Sequence, residues 1–246
     1  MDFERFEPVY EAILADFGFP RESDECARDV LVDLEPGARL DAFAVALGGR
    51  DVAVVAPGPS LVDALEGGAL ERNARGEDPD AVVAVSSAAP VLREHGVAVD
   101  AYVTDLDADP ERAAELTYDG VPTAVHAHGD NLPAVREHVP KCDREFVLGT
   151  TQAAPVDVVV NVGGFTDGDR AAFLADAVGA RSLSFPGWDL ADPDLNELKA
   201  KKLRWAARLL FWLERDRRAR LDRDVHFDVL DGLRGDLAHP AIPDAN

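Results

Sequence analysis

The chain has 246 residues, long enough for one sizeable core or a core domain with helical additions. It carries 47 Asp+Glu against 25 Lys+Arg, a formal charge of −22, yet 47% of it is hydrophobic, so the charge must coat a folded surface rather than mark a disordered acidic tail. No long basic run occurs outside residues 199–223, which excludes a phosphate backbone, and hence nucleic acid, as the expected partner.

Residues 1–47 read as a helical segment packing on the rest. Phe3, Phe6, Val9, Tyr10, Ile13 and Leu14 recur at helical spacing, Phe19-Pro20 breaks the pattern, and Ser23 starts a second stretch with Val30, Leu31 and Leu34. From Arg50 the period changes. Short valine-rich runs predict strands at Val52–Ala56, Ala81–Val85, Ala98–Val103, Thr123–His126, Phe146–Leu148, Val156–Val160 and Arg181–Phe185. Helical stretches fall between them at Ser60–Glu66, Ala88–His95, Pro110–Leu116, Leu132–His138 and Asp169–Val178. Thr150–Pro155 lacks a helical pattern and reads as a hairpin or a change of strand order. A long helical pattern covers about 194–219, and Gly235–Asn246 reads as a loose tail. The fold class is therefore α/β: a doubly wound, mostly parallel sheet with helices on both faces, a helical N-terminal segment and a long C-terminal helix. The expected organisation is 1–47, a core domain at 48–234, and a tail at 235–246.

Polar clusters follow the apolar runs, where open parallel sheets bind ligands. Asp105 and Asp107, at i and i+2 after the Val97–Val103 run, read as a clamp for a divalent cation such as Mg²⁺, against the plainer reading of a helix cap before Pro110. Pro57-Gly58-Pro59-Ser60 opens a helix and offers backbone N–H groups to an anion, or is simply a tight turn. His126-Ala127-His128-Gly129-Asp130-Asn131 lacks a third ligand at zinc spacing, and its density favours ligand contact over surface imidazoles. Gly163 to Arg170 brings Thr166, Asp167, Asp169 and Arg170 to a strand–helix junction, more polar groups than a cap requires. Three of only four lysines are Lys199, Lys201 and Lys202; in a chain that elsewhere uses arginine, they suggest a compact cation for phosphate, with Lys199 and Lys202 on one helical face.

Excess acid with scarce lysine is the composition of adaptation to high salt, as in a halophilic archaeon, because screening relieves the self-repulsion. Cys26 and Cys142 fit no metal spacing and are expected as buried thiols in a reducing cytoplasm. The first residues show no signal pattern and no apolar stretch approaches spanning length, so a soluble cytoplasmic protein without membrane contact is expected.

In order, Gly58-Pro59-Ser60-Leu61, Thr104-Asp105-Leu106-Asp107, His126 to Asn131, Gly164 to Ala171 and the Lys199–Leu203 run resemble the archaeal 6-hydroxymethyl-7,8-dihydropterin pyrophosphokinases over roughly residues 50–212. That family is similar in turn to thiamine pyrophosphokinases. The resemblance implies Mg²⁺-dependent transfer of diphosphate from ATP, as co-substrate, to the pterin hydroxymethyl group with release of AMP, in folate or methanopterin synthesis. It implies Asp105 and Asp107 as metal ligands; Asp105, Asp107, His126, His128 and Asp130 as catalytic; and His128, Asp130, Asn131 and Thr166 at the pterin. ATP falls to Gly58, Pro59, Ser60, Asp167, Asp169, Arg170, Lys199 and Lys202. The expected partners are these small molecules, with self-association left open. An Asp-x-Asp clamp after a strand also suits a metal-dependent nucleotide-sugar glycosyltransferase or a thiamine-pyrophosphokinase-like enzyme. A nucleotide-binding module without turnover is a third reading, and a methyltransferase fits less well because Ser86-Ser87 ends the second strand where an acid is expected.

Overall fold

The computed structural model describes residues 2–68, 70 and 79–244; the last two residues of the expected tail and Met1 lie outside them. Among the described residues the chain forms a parallel sheet of six strands: β1 (Asp51–Val55), β2 (Ala81–Val85), β3 (Ala101–Thr104), β4 (Thr123–Ala127), β5 (Val147–Thr151) and β6 (Ser182–Ser184), ordered β5-β4-β3-β2-β1-β6. Every residue of β1 to β5 is buried, which explains their continuous apolar character. Successive residues still serve opposite faces. Val52, Val54, Val83 and Val103 enter one apolar cluster, while Ala53, Val55, Val82 and Tyr102 enter the other.

The second cluster is covered by the crossover helices α4 (Leu61–Glu66), α5 (Ala88–Glu94), α6 (Glu111–Tyr118) and α7 (Leu132–His138), through residues such as Leu61, Leu92, Ala113 and Val135. The first is covered by α1 (Phe3–Phe17), α3 (Leu40–Leu47), α8 (Asp167–Ala177) and α9 (Glu197–Leu221), which contribute Phe6, Phe43, Phe173 and Trp212. The remaining helix, α2 (Arg21–Asp33), places Ala27 and Leu31 on the α4–α7 face beside β5. α1 stops at Gly18, whose left-handed φ of 71° lets its N–H reach Leu14 O, and the chain turns through Phe19-Pro20 into α2. After α9, buried Glu214 accepts hydrogen bonds from Phe227 N and from Arg234 (Nη2 at 2.8 Å). Leu230 and Leu237 are buried, and His239 lies on Trp205 with ring centroids 4.6 Å apart.

Two expectations are corrected. Val156–Val160 is not a strand: Val156 and Val159 hydrogen-bond each other across a tight turn in which Asp157 has a φ of 51°, and only Val160 hydrogen-bonds to the sheet, by a bridge to Thr150. Cys26 is an exposed thiol on the outer face of α2; Cys142 is buried, and neither forms a disulfide. No helix among the described residues is long and apolar enough to cross a membrane.

The sheet switches direction between β1 and β6: the chain steps outward from β1 to β5 on one face, then returns through α8 on the other to place β6 on β1's free side. Ligand crevices of open α/β sheets form at the carboxyl ends of strands flanking such a switch. Here the two strand ends are pinned together, with Ala56 N donating to Pro186 O and Gly58 N to Gly187 O. Gly187 has a φ of 73°, and a Cβ there would stand 2.2 Å from Ala56 O, so no other residue fits. Gly187→Ala is therefore expected to lower stability by about 3 kcal/mol in urea unfolding, through combined clash and left-handed strain.

Candidate active site

Beyond the carboxyl ends of the strands lies a cavity of about 600 Å³. Its wall begins with the turn after β3. Leu106 adopts a φ of 67° with its side chain buried; Leu106 N donates to Thr104 Oγ1 and Asp107 N to Asp105 Oδ1, at 2.9 and 3.1 Å. A left-handed branched residue is costly, and the buried leucine anchors the turn so that Asp105 and Asp107 both line the cavity. Asp167, at the first position of α8, approaches from the other side of the sheet, and its Oδ2 accepts from Asp105 N at 3.1 Å.

The charges of these groups are interdependent. Burial pushes the Asp167 carboxyl well up, and the Asp105 charge adds to it. Burial and then Asp105 also raise Asp107. For Asp105 burial acts in the same direction, but the His128 imidazole, the Asp107 N–H and Arg170 outweigh it and leave its carboxyl below the usual value; His128 Nε2 stands 3.8 Å from Asp105 Oδ2. Arg170 is fully buried beneath them, its Nη1 3.9 Å from Asp167 Oδ1 and its Nη2 donating to Phe165 O. Its Nε and Nη1 have no hydrogen-bond acceptor.

This donor set fits a magnesium ion in kind. It consists of carboxylate oxygens whose mutual repulsion a cation would relieve, with no thiol among them. It is an open clamp, because the one grouping of three ligand side chains within 4.8 Å among the described residues is elsewhere, at exposed His226, Asp228 and Asp231. Mg²⁺ suits such a clamp, since it is commonly held by one or two carboxylates plus substrate phosphates.

His126 and His128 both line the cavity, their rings 5.8 Å apart. Thr150 Oγ1 donates to Val125 O, so it must accept from His126 Nδ1 at 3.2 Å, which leaves the His126 Nε2 lone pair without a partner. Burial, with Arg170 next, holds this imidazole well below its usual pKa and hence neutral. Asp130 stands exposed at the rim, its N–H donating to His128 Nδ1. On the opposite sequence flank, α9 brings Lys199 and Lys202 to the cavity. Lys201 turns away, 2.9 Å from Asp16 and over the Phe17 ring.

Gly58, Pro59 and Thr166 also line the cavity, whereas Ser60, Asn131 and Asp169 stand behind its wall. Ser60 gives both N–H and hydroxyl to Asp189 Oδ2, at 2.9 and 2.8 Å. Asn131 donates to Asp105 O and His126 O, each at 2.7 Å, and accepts from His128 N. Asp169 is completely buried, accepting from Phe165 N, Thr166 N and the Thr166 hydroxyl in a capping box that starts α8. The sequence reading missed Asp24, Gln152, Trp188 and Asp189, all on the cavity wall. Asp24 and Gln152 carry no local motif. Trp188 lies just beyond the predicted Arg181–Phe185 strand and carries no motif; its ring packs against Gly168, 2.6 Å from where a Cβ there would stand.

The fold and cavity define an open parallel α/β protein whose cavity at the sheet switch joins acidic and lysine-bearing walls. A family described as 6-hydroxymethylpterin diphosphokinase MptE-like matches residues 34–194, and the chain belongs to that family. It is 36% identical to a 6-hydroxymethyl-7,8-dihydropterin pyrophosphokinase of Methanothermobacter thermautotrophicus, over 87% of this chain and 96% of the relative. Proteins of the same name from Pyrococcus furiosus and Methanocaldococcus jannaschii are 35% and 30% identical, over 90% and 87% of this chain and 98% and 96% of theirs.

Asn131 is the buried clamp between the aspartate turn and the histidine strand. Asn131→Ala removes the hydrogen bonds to Asp105 O, His126 O and His128 N, of which that to His126 O is buried, and is expected to cost about 2–3 kcal/mol, read as a lower denaturation midpoint at unchanged m-value.

Proposed function

We propose that this chain transfers the terminal diphosphate of ATP to the hydroxymethyl group of a reduced 6-hydroxymethylpterin, yielding the pterin diphosphate and AMP for folate or methanopterin synthesis. One observation carries the reading: the Asp105–Asp107 clamp, the neutral His126 and the Lys199–Lys202 pair, far apart in sequence, share a single cavity. Family membership and the names of the three relatives support it.

In this mechanism the pterin hydroxyl oxygen forms a bond to the β-phosphorus while the bond from that phosphorus to the α–β bridging oxygen breaks, and AMP leaves with that oxygen. Catalysis of such a transfer rests mainly on alignment and on neutralising phosphate charge. Asp105 and Asp107, with Asp167 adjoining, would hold Mg²⁺, which supplies a positive charge to phosphate oxygens when bound. Gly58 and Pro59 border the polyphosphate, the N–H groups of Gly58 and Ser60 being taken by Gly187 O and Asp189, and Lys199 and Lys202 meet it as point charges. His126 Nε2, neutral and without a partner, accepts the hydrogen bond of the substrate hydroxyl and draws off its proton. His128 and Asp130 border the acceptor, and Thr166 closes the same side. Asn131, Asp169 and Ser60 position these groups from behind, and the helices of 1–47 wall the core unit of 48–234.

Incubation of the protein at high salt with ATP, Mg²⁺ and reduced 6-hydroxymethylpterin is expected to release AMP. ADP as the nucleotide product would overturn a diphosphate transfer, and nucleoside diphosphate from a nucleotide sugar would instead mark a glycosyltransferase. Asp107→Ala is expected to abolish turnover at every Mg²⁺ concentration while leaving the melting temperature unchanged or slightly raised, because an acid raised by its neighbour's charge is removed. Lys199→Ala or Lys202→Ala should raise the KM for ATP or lower kcat by roughly ten- to hundredfold, the worth of one charge-assisted phosphate contact. Lys201→Ala, which loses only its contacts to Asp16 and Phe17, should leave the kinetics for ATP unchanged.

A further inference from the structure

One end of the cavity is built by the N-terminal helices, where no motif was legible. Phe19, Pro20, Ser23 and Asp24, from the α1–α2 turn and α2, line it together with Gln152, which follows β5. Asp24 is only 4% exposed, and its carboxylate is held from three sides: Tyr10 Oη and Gln152 Nε2 each donate to Oδ2 at 2.8 Å, and Gly129 N donates to Oδ1 at 3.0 Å. A carboxylate accepts about four hydrogen bonds, so one direction remains. The anion also decides which way the Gln152 amide faces. Its NH₂ group must point at Asp24, and its carbonyl Oε1 is therefore the free end, accepting no hydrogen bond among the described residues. Asp24 and Gln152 thus turn a carboxylate and an amide carbonyl, both acceptors, toward a ligand.

A donor stands close by. Arg170 lines the same cavity, near enough for the Asp24 charge to favour its charged form, and keeps Nε and Nη1 without an acceptor. An acceptor pair beside a buried guanidinium complements a planar edge that carries adjacent N–H donors and then a carbonyl. The 2-amino-4-oxo edge of a pterin has this order: the exocyclic amine and N3–H donate, and O4 accepts. Phe19 and Phe165 supply apolar surface on the same cavity for the ring faces.

We infer that Asp24 and Gln152, with Arg170, form the subsite that reads the 2-amino-4-oxo edge of the acceptor ring, so that α2 selects the substrate. This deepens the proposed pterin reading and rests on it. It places the ring edge against the N-terminal helices and leaves the 126–130 segment to the hydroxymethyl arm.

The test compares 6-hydroxymethyl-7,8-dihydropterin with its 2-oxo counterpart, the corresponding dihydrolumazine, in which a carbonyl replaces the amine and would face Asp24 and Gln152 Oε1. Equilibrium binding to the whole protein, read by quenching of ring fluorescence, is measured for the wild type, Gln152→Leu and Asp24→Asn, with KM for ATP as a second readout. The wild type should bind the pterin at least about tenfold more tightly than the lumazine, and each variant should lose about ten- to hundredfold of that preference, the effect of one buried hydrogen bond, while KM for ATP stays within about twofold. Equal wild-type affinity for the two rings overturns the inference whether or not either variant folds. So does a folded variant that keeps the preference, since a purely structural role for Asp24 would weaken both rings alike. Preferential pterin binding without AMP release would leave this subsite standing and sink the diphosphate-transfer reading instead.

Discussion

A buried guanidinium whose charge several nearby carboxylates favour is the constraint on which the rest of the cavity wall depends. Arg170 is 1% exposed, and the charges of Asp167, Asp169 and Asp105 favour its cationic form against the burial that opposes it. A buried charge is tolerated only when opposite charge and acceptors surround it. The chain therefore approaches closely: Gly164, at a φ of 94°, has no room for a Cβ, which would stand 2.5 Å from Arg170 Cα. The start of α8, the aspartate turn after β3 and the 163–166 loop are held together around this one cation. Arg170 Nε and Nη1 and His126 Nε2, on the wall of one cavity, have no hydrogen-bond partner among the described residues.

The polar residues divide into those facing the cavity and those holding the first group in place. Asn131, Asp169 and Ser60 all have their side-chain hydrogen-bonding groups committed to neighbouring protein groups. Their removal disturbs geometry first, whereas Asp107, Lys199 and Lys202 touch little of the protein and contribute mainly charge to the cavity. Stability and activity measurements therefore separate the two sets. On the acidic surface arginines are likewise tied into pairs, such as Arg144 with Glu35 and Arg21 with Glu7.

Much of the fold was legible because its physical causes are local. β1 to β5 are buried on both faces and so read as short valine-rich runs; α8 begins at a capping box; and the i, i+3 spacing on α9 places Lys199 and Lys202 together and turns Lys201 elsewhere. Val156–Val160 has the same apolar composition as a strand. What it lacks is a neighbour over its length: its backbone groups are paired within a tight turn at the sheet's β5 edge, and composition does not report pairing.

The sequence by itself determined the kind of fold, the turn bearing Asp105 and Asp107, and the family, since each is written in adjacent residues. The tertiary structure alone decided which polar groups face the cavity and which support it, because Asp169 and Asp167 are two residues apart and differ only in what packs around them. It alone brought Asp24 to the site, as that carboxylate meets Gln152 across 128 residues and Gly129 across 105, contacts that no local pattern encodes. Side-chain chemistry is carried by the chain, but a side chain's direction is set by packing among elements remote in sequence.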